Sequence, residues 1–226
     1  MNSVNVFFKR IMDILIALIA ITLLLPIIIF LAIFIKIDSK GPILFTQTRV
    51  GKGQVFFKIF KFRTMTVNAD KVKDGLQVKS GDSRITKFGK FLRKTSLDEI
   101  PQFFNVLIGD ISLVGPRPAL PEQLHYYNET QMRRFEMRPG ITGLATIKGR
   151  ASIPWSQRIA YDIEYIDNFS FWLDVKIMFK TIFVVLSGKG TYYDPKNGPA
   201  FDLASPDDLP QSGKIKTVKG IKNGNT

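Results

Sequence analysis

Apolar residues run without a charge from Ile14 to Ile35, interrupted only by Thr22 and Pro26. Wound as a helix, this run is about 33 Å long, roughly the thickness of a bilayer's hydrocarbon core. No helical phase gives it a polar face, which argues against an ordinary soluble core helix. It is too long for the apolar part of a signal peptide, and no small-x-small cleavage site follows it. The pattern predicts a membrane segment.

Two arrangements fit the segment. Pro26 removes a backbone donor and crowds the carbonyl of Thr22, leaving arms too short to span alone. Both flanks are basic, with Lys9 and Arg10 before the run and Lys36 and Lys40 after it. A kinked spanning helix would place one basic pair outside, against the positive-inside tendency. A helix broken at Pro26 that enters and leaves by the cytoplasmic face satisfies both pairs.

Beyond Gly41-Pro42, Ile43 to Thr48 and Val55 to Met65 read as strands joined at Gly51-Lys52-Gly53. Residues 66–83 read as a polar surface loop. Ile85, Phe88, Phe91 and Leu92 recur at helical spacing behind a cap at Asp82 or Ser83, with Arg84, Lys87, Lys90, Arg93 and Lys94 opposite. A further helix is expected from Thr95 or Ser96 towards Leu107, then an irregular Gly/Pro stretch. A short helix is expected over 122–137, and longer ones over Trp155–Asn168 and Phe171–Leu186. The last carries Phe171, Trp172, Phe179 and Phe183 with Lys176 and Lys180, which suits either a membrane interface or core packing. Residues 194–226 read as a loose tail.

Composition narrows the chemistry. The 226 residues contain no Cys and one His, which excludes thiol chemistry and His-rich metal sites. The net charge of +13 is concentrated: residues 49–94 hold 13 Lys/Arg against 3 Asp, while residues 95–190 are balanced. An anionic partner is expected there, with nucleic acid, the membrane surface and a phosphorylated substrate all in view. Lys58, Lys61 and Arg63 interleaved with Phe56, Phe57, Phe60 and Phe62 resemble a single-strand nucleic-acid platform, and equally a core strand whose polar face meets a phosphate. Gly51-Lys52-Gly53 lacks the spacing of a P-loop.

Asp98-Glu99 is the most informative pair. Ser96-Leu97-Asp98-Glu99 has the form of a capping box, in which the acids are structural. Against that, two adjacent carboxylates directly follow a strongly basic helix. Such a field attracts a phosphate and favours ionised carboxylates. An ionised Asp is a competent nucleophile towards phosphorus, and a second carboxylate helps hold Mg²⁺ against a diphosphate. Pro116-Arg117-Pro118 sets an Arg between two rigid residues. Arg138, Arg150 and Arg158 are further anion-binding candidates.

The order Lys61-Phe-Arg-Thr-Met65, Ser96-Leu-Asp-Glu99, Phe104-Asn-Val-Leu107, Gly109-Asp110, Val114-Gly-Pro-Arg-Pro118, Arg138-Pro-Gly-Ile-Thr-Gly143 and Gly149-Arg150 resembles the bacterial sugar transferase family. These are the monotopic phosphoglycosyl transferases that start glycan assembly on a polyprenyl phosphate carrier. The likeness runs from residue 5 to about 190, and the size is most similar to the catalytic-core-only bacillosaminyl-phosphate transferase type. It implies a re-entrant helix with Pro26 at the break, a site on the cytoplasmic face of the bacterial inner membrane, and Mg²⁺ held by Asp98 and Glu99. It also implies a ping-pong reaction. Asp98 attacks the β-phosphate of a UDP-sugar and releases UMP, and polyprenyl phosphate then takes the sugar phosphate, with Glu99 as dyad partner. Lys61 and Arg93 match bases near the phosphates; Arg117, Arg150 and Asp162 match positions on the nucleotide-sugar side. Leu25 stands where the family often has Ser, and Thr146 and Lys148 depart from its Ala-Gln-x-x-Gly-Arg pattern.

The expected architecture is α+β: a membrane helix over 1–40, a mostly helical catalytic domain with a short β element and interface-lying amphipathic helices over 41–190, and a tail over 191–226. Expected partners are a UDP-sugar, polyprenyl phosphate and membrane lipids, without nucleic acid and with a homo-oligomer left open. The reading from another class is a membrane-tethered nucleic-acid-binding protein that uses the 49–94 block.

Overall fold

The computed structural model describes residues 3–67, 69, 82–188, 190 and 202–203. Most of the polar loop expected over 66–83 and nearly all of the tail lie outside them. Helix α1 spans Ser3–Asp38 and continues through Pro26. Strands β1 (Leu44–Val50) and β2 (Phe56–Phe62) pair antiparallel, from Leu44 opposite Phe62 to Val50 opposite Phe56. The turn between them uses positive φ at Gly53 and Gln54.

Helix α2 (Lys87–Thr95) starts one residue after Thr86, whose side chain accepts from Gly89 N. The expected cap at Asp82 is therefore corrected: Asp82 binds the Arg84 guanidinium instead. Helix α3 (Gln102–Ile108) begins later than the pattern predicts, because Leu97–Glu99 form a separate 3₁₀ turn. The irregular Gly/Pro stretch contains β3 (Ser112–Val114), which pairs in parallel with β4 (Gly140–Thr142). These three-residue strands carry too little pattern to be seen in sequence. The helix expected over 122–137 is two 3₁₀ turns flanking α4 (Glu129–Met132). Helices α5 (Leu144–Lys148), α6 (Trp155–Asp167) and α7 (Phe171–Ser187) follow.

The glycines of the two Gly/Pro motifs now have a physical reason. A Cβ on Gly140 would lie 2.1 Å from Gly115 N, so only bare backbone lets the β3 and β4 ends meet. There Gly115 N donates to Thr142 O and Gly140 N to Pro116 O, each at 2.9 Å.

Helix α1 is buried on the body at two places, Lys9, Asp13 and Ala17 near its start and Leu31 and Ile35 near its end. At the start, Ala17 enters a cluster with Val106, Ile111 and Val114. Lys9 Nζ donates to Asp174 Oδ2 at 2.6 Å and to Val114 O at 2.7 Å, and Arg10 donates to the carbonyls of Val106 and Leu107. At the end, Leu31 and Ile35 pack on Phe62, Leu92 and Ile100. Arg63 donates to Ile35 O and Ser39 O, and Asp38 accepts from Phe88 N at the start of α2. Between these contacts Leu18, Ile19, Leu23, Leu25, Ile27, Ile29 and Phe30 are exposed.

Helix α7 decides between the two uses of its aromatics. Ile177 is buried, whereas Trp172, Phe179, Ile182, Phe183 and Leu186 are exposed, Leu186 at 79%. They are not core, and with the bare apolar surface of α1 they form an apolar exterior suited to lipid.

Candidate functional site

The site forms where α2 stops. Ser96 adopts a left-handed conformation (φ 58°, ψ 17°), closing α2 as its N–H donates to Arg93 O and Leu92 O. The chain then turns sharply through Leu97–Glu99, and Pro101 precedes α3. Ser96 makes no side-chain cap, which corrects the capping-box reading. Its hydroxyl accepts from Arg150 Nη2 at 2.8 Å instead. Asp98 and Glu99 are thus displayed on a tight turn rather than spent on a helix start.

Lys61, from the end of β2, bonds Glu99 Oε1 through Nζ at 2.6 Å. Arg93, in the last turn of α2, is fixed by Thr64 Oγ1 at 2.8 Å and acts on Asp98. Arg117 stands exposed between buried Pro116 and Pro118. All three carbonyls of that tripeptide are held: Pro116 O by Gly140 N, Arg117 O by Arg134 Nη2 and Pro118 O by Arg49 Nη1. Arg150, at φ 52°, has a buried Nη1 with no partner among the described residues.

Two residues were missed. Arg49 and Gln102 line the same pocket as Lys61, Glu99, Arg117, Pro118 and Gly140. Burial and the neighbouring Arg117 charge lower Arg49 to about 10. The signal available in sequence was the alternation of Phe45, Gln47 and Arg49 on the less exposed face of β1. Gln102 offered none.

Asp162 lies away from the other candidates. It is buried at 1% exposure and ion-paired with Arg134 Nη2 at 2.6 Å, beneath the Arg117 backbone. It accepts from the Arg117 backbone, shares Arg134 with the Arg117 carbonyl, and is not among the residues lining the pocket around Glu99. Burial raises it to about 6 against the pull of Arg134.

The two carboxyls of the dyad are driven apart. Burial, with the Glu99 charge beside it, raises Asp98 to about 6 against the pull of Lys61 and Arg93. Burial alone would raise Glu99, but Lys61, Arg117 and Arg150 outweigh it and lower that carboxyl to about 2. The expectation that the basic field would favour both ionised carboxylates therefore holds for Glu99 and is reversed for Asp98. Five bases, Arg49, Lys61, Arg93, Arg117 and Arg150, act on these two carboxylates. The excess of positive charge asks for an anion with more than one negative charge.

The aromatics and bases of β2 are divided between the fold and the site, with Phe56 and Lys58 left exposed. Phe62 is buried against α1, Arg63 is buried against Ile35 and Ser39, and Lys61 belongs to Glu99.

Residues 4–188 match the family described as bacterial sugar transferase. The chain belongs to this family. It is 45% identical over 202 residues to a UDP-glucose:undecaprenyl-phosphate glucose-1-phosphate transferase of Klebsiella pneumoniae, covering 85% of this chain and 43% of that protein. It is 47% identical over 196 residues to a UDP-N-acetylgalactosamine-undecaprenyl-phosphate N-acetylgalactosaminephosphotransferase of Aeromonas hydrophila, covering 84% and 46%. The uncharacterized sugar transferase EpsL of Bacillus subtilis is 42% identical over 182 residues, covering 80% of this chain and 89% of that protein. The chain thus spans less than half the length of the first two relatives. Within the sugar transferase family match fall α1, the turn with Asp98 and Glu99, and every base around them.

Proposed function

We propose that this chain moves a sugar 1-phosphate from a UDP-sugar to undecaprenyl phosphate at the cytoplasmic face of the bacterial inner membrane. The observation that carries the reading is the asymmetric dyad. Glu99 is ion-paired and held ionised, while Asp98 has no ion pair among the described residues and carries a raised affinity for a proton. At neutral pH Asp98 is still mostly ionised, and a less stabilised carboxylate is the better nucleophile.

In the first half-reaction an Asp98 carboxylate oxygen bonds the β-phosphorus, and the bond from that phosphorus to the bridging oxygen breaks. UMP leaves with the electron pair, and the sugar phosphate stays on Asp98 as an acyl phosphate. In the second half an oxygen of undecaprenyl phosphate bonds the same phosphorus and the carboxylate is expelled. Arg49, Arg117 and Arg150 offset the diphosphate charge, and Lys61 keeps Glu99 ionised beside it.

The donor set fits Mg²⁺: all its protein ligands would be carboxylate oxygens, and such sites use one or two of them with phosphate oxygens and water. Asp98 is the freer donor and Glu99, bonded to Lys61, the secondary one. When bound, the ion would supply neutralisation of diphosphate charge.

Support for a re-entrant α1 is that one body touches the helix at Lys9 and again at Leu31, about 33 Å along it. A helix crossing a bilayer between those points would drag that body's charged surface into hydrocarbon. The missing N–H at Pro26 and the Thr22 Oγ1 bond to Leu18 O lie in the stretch that exposes Leu23, Leu25, Ile27 and Ile29 while Leu24 and Ile28 pack on the body, and a helix bends most easily at such a proline.

UMP release in detergent with Mg²⁺, from a panel of UDP-sugars plus undecaprenyl phosphate, tests the reading. Release from one donor, lost in Asp98→Asn with the fold retained, is expected. Full turnover by a folded Asp98→Asn protein would refute the covalent route.

A further inference from the structure

A second basic cleft lies at the start of α1, lined by Lys9, Arg10, Asp13, Lys52, Ser112 and Arg138 among others. It shares no residue with the pocket around Glu99. Its charges are not all accounted for by the fold. Lys9 is paired with Asp174. Asp13 accepts from Ser112 Oγ and Leu113 N, which are neutral donors. Arg10 donates to the Val106 and Leu107 carbonyls, and Arg138 Nε donates to Gly109 O at 2.9 Å. Those carbonyls fix both guanidiniums at the end of α3 without neutralising them. The terminal nitrogens of Arg138 and the exposed Lys52 ammonium make no side-chain bond among the described residues. Three bases therefore face the cleft against one carboxylate.

Exposed apolar side chains neighbour the lining residues in the chain. Phe7, 64% exposed, follows Val6 on α1, and Ile108, 66% exposed, directly precedes the Gly109 that anchors Arg138. Phosphate-seeking bases with bare apolar flanks fit an amphiphile, with a charged head and chains lying along the protein.

We infer that this cleft seats the phosphate of an anionic membrane lipid, which would lock the start of α1 to the body at the level of the headgroups. The inference rests on the membrane placement of α1 and not on the transfer reaction. A phosphate group is the recognised chemistry, and a lipid is its source because the first turns of α1, the membrane helix, line the cleft and carry exposed Phe7 and Phe8.

The test uses the full chain in neutral detergent, titrated with short-chain phosphatidylglycerol, phosphatidylcholine of the same chain length, and inorganic phosphate. Binding is read as dissociation constants and as the rise in thermal midpoint. Phosphatidylglycerol should bind at least about ten-fold more tightly than phosphatidylcholine. Lys52→Glu should weaken it about five-fold or more, the scale of one base at a lipid surface. Arg138→Gln should weaken it similarly and Arg138→Lys less, while Lys90→Glu on α2 should leave it unchanged. Equal binding of the two lipids, or equal effects of Lys52→Glu and Lys90→Glu, would overturn the proposal. Inorganic phosphate binding as tightly as phosphatidylglycerol, with both lost in Lys52→Glu, would make the ligand free phosphate and remove the lipid assignment.

Discussion

Lys61 and Glu99 are 38 residues apart in the chain, yet Lys61 Nζ lies 2.6 Å from Glu99 Oε1. This bond ties the end of β2 to the turn that displays the dyad, and it assigns the two carboxyls different work. The same ammonium lowers both Asp98 and Glu99. Lys61→Met removes that pull, so a proton is retained on the pair at higher pH. Turnover should fall about 100-fold or more, and the acidic limb of the rate profile should move above its wild-type position. Lys61→Arg keeps the charge but not the compact geometry, and should fall between the two. Rates measured from pH 5 to 9 check this, and an unmoved acidic limb in Lys61→Met would count against it.

Asp98 sets the wild-type limb. Its carboxyl is raised to about 6 in the metal-free site and would be drawn below that by a bound Mg²⁺, so the rate should fall about ten-fold per unit below a limb at or under that value.

The same shift has a consequence for stability, with a definite sign. A carboxyl whose folded value is raised contributes stability that is fully present below its ordinary value of 3.8 and is lost as pH rises through about 6. Asp98→Asn should therefore be more stable than wild type at pH 7 and lose that advantage by pH 4. Thermal midpoints across that range, taken in chelator so that no divalent cation offsets the charge, read it directly. A residue that costs stability where it is ionised is what a reactive group in a buried site looks like.

Asp162 is also raised to about 6 by burial, but unlike Asp98 it has an ion-pair partner, so its loss is costly. Its buried pair with Arg134 supports the carbonyl of Arg117, and Arg134 also donates to Tyr127 Oη at 2.8 Å. Asp162→Ala leaves a guanidinium buried without its counter-charge, at a cost of about 3–5 kcal/mol. A large drop in the denaturant midpoint is expected, with turnover lost because Arg117 is no longer held. Asp162→Asn should recover part of the fold and less of the rate. If Asp162→Ala stays stable and loses only affinity for the UDP-sugar, Asp162 contacts the ligand after all.

What the sequence made legible follows from the length of each pattern. The β1–β2 hairpin, α6 and α7 have enough residues for periodicity to appear, and their bounds fall near those expected. Strands β3 and β4 have three residues each and exist because bare glycine backbone at 115 and 140 lets two loops meet, which no periodicity encodes. The same limit applied at the site. Asp98, Glu99, Lys61 and Arg117 stand in compact motifs, whereas Arg49 arrives through strand register and Gln102 through the placement of α3. Ser96 shows why the capping-box reading failed: its left-handed backbone ends α2, and a residue with φ 58° cannot serve as the usual extended N-cap.

The arrangement of α1 gives the last prediction. The chain has no Cys, so a single Ser3→Cys or Lys94→Cys provides a unique label. In the re-entrant arrangement both label only from the cytoplasmic side. Two features oppose a crossing: the lost backbone bond at Pro26, and the docking of Lys9 on Asp174 and Val114 O. Pro26→Ala restores the donor to Thr22 O and removes the tendency to bend, yet leaves the docking in place. It should let only part of the population present Ser3→Cys outside. Adding Lys9→Met leaves Asp174 unpaired and frees the first turns, so the outside-labelled fraction should grow further. Labelling of Ser3→Cys from outside with Pro26 and Lys9 both present would mean that the helix spans. The contacts at Leu31 and Ile35 would then have to belong to a body held within one leaflet, which its exposed charges forbid.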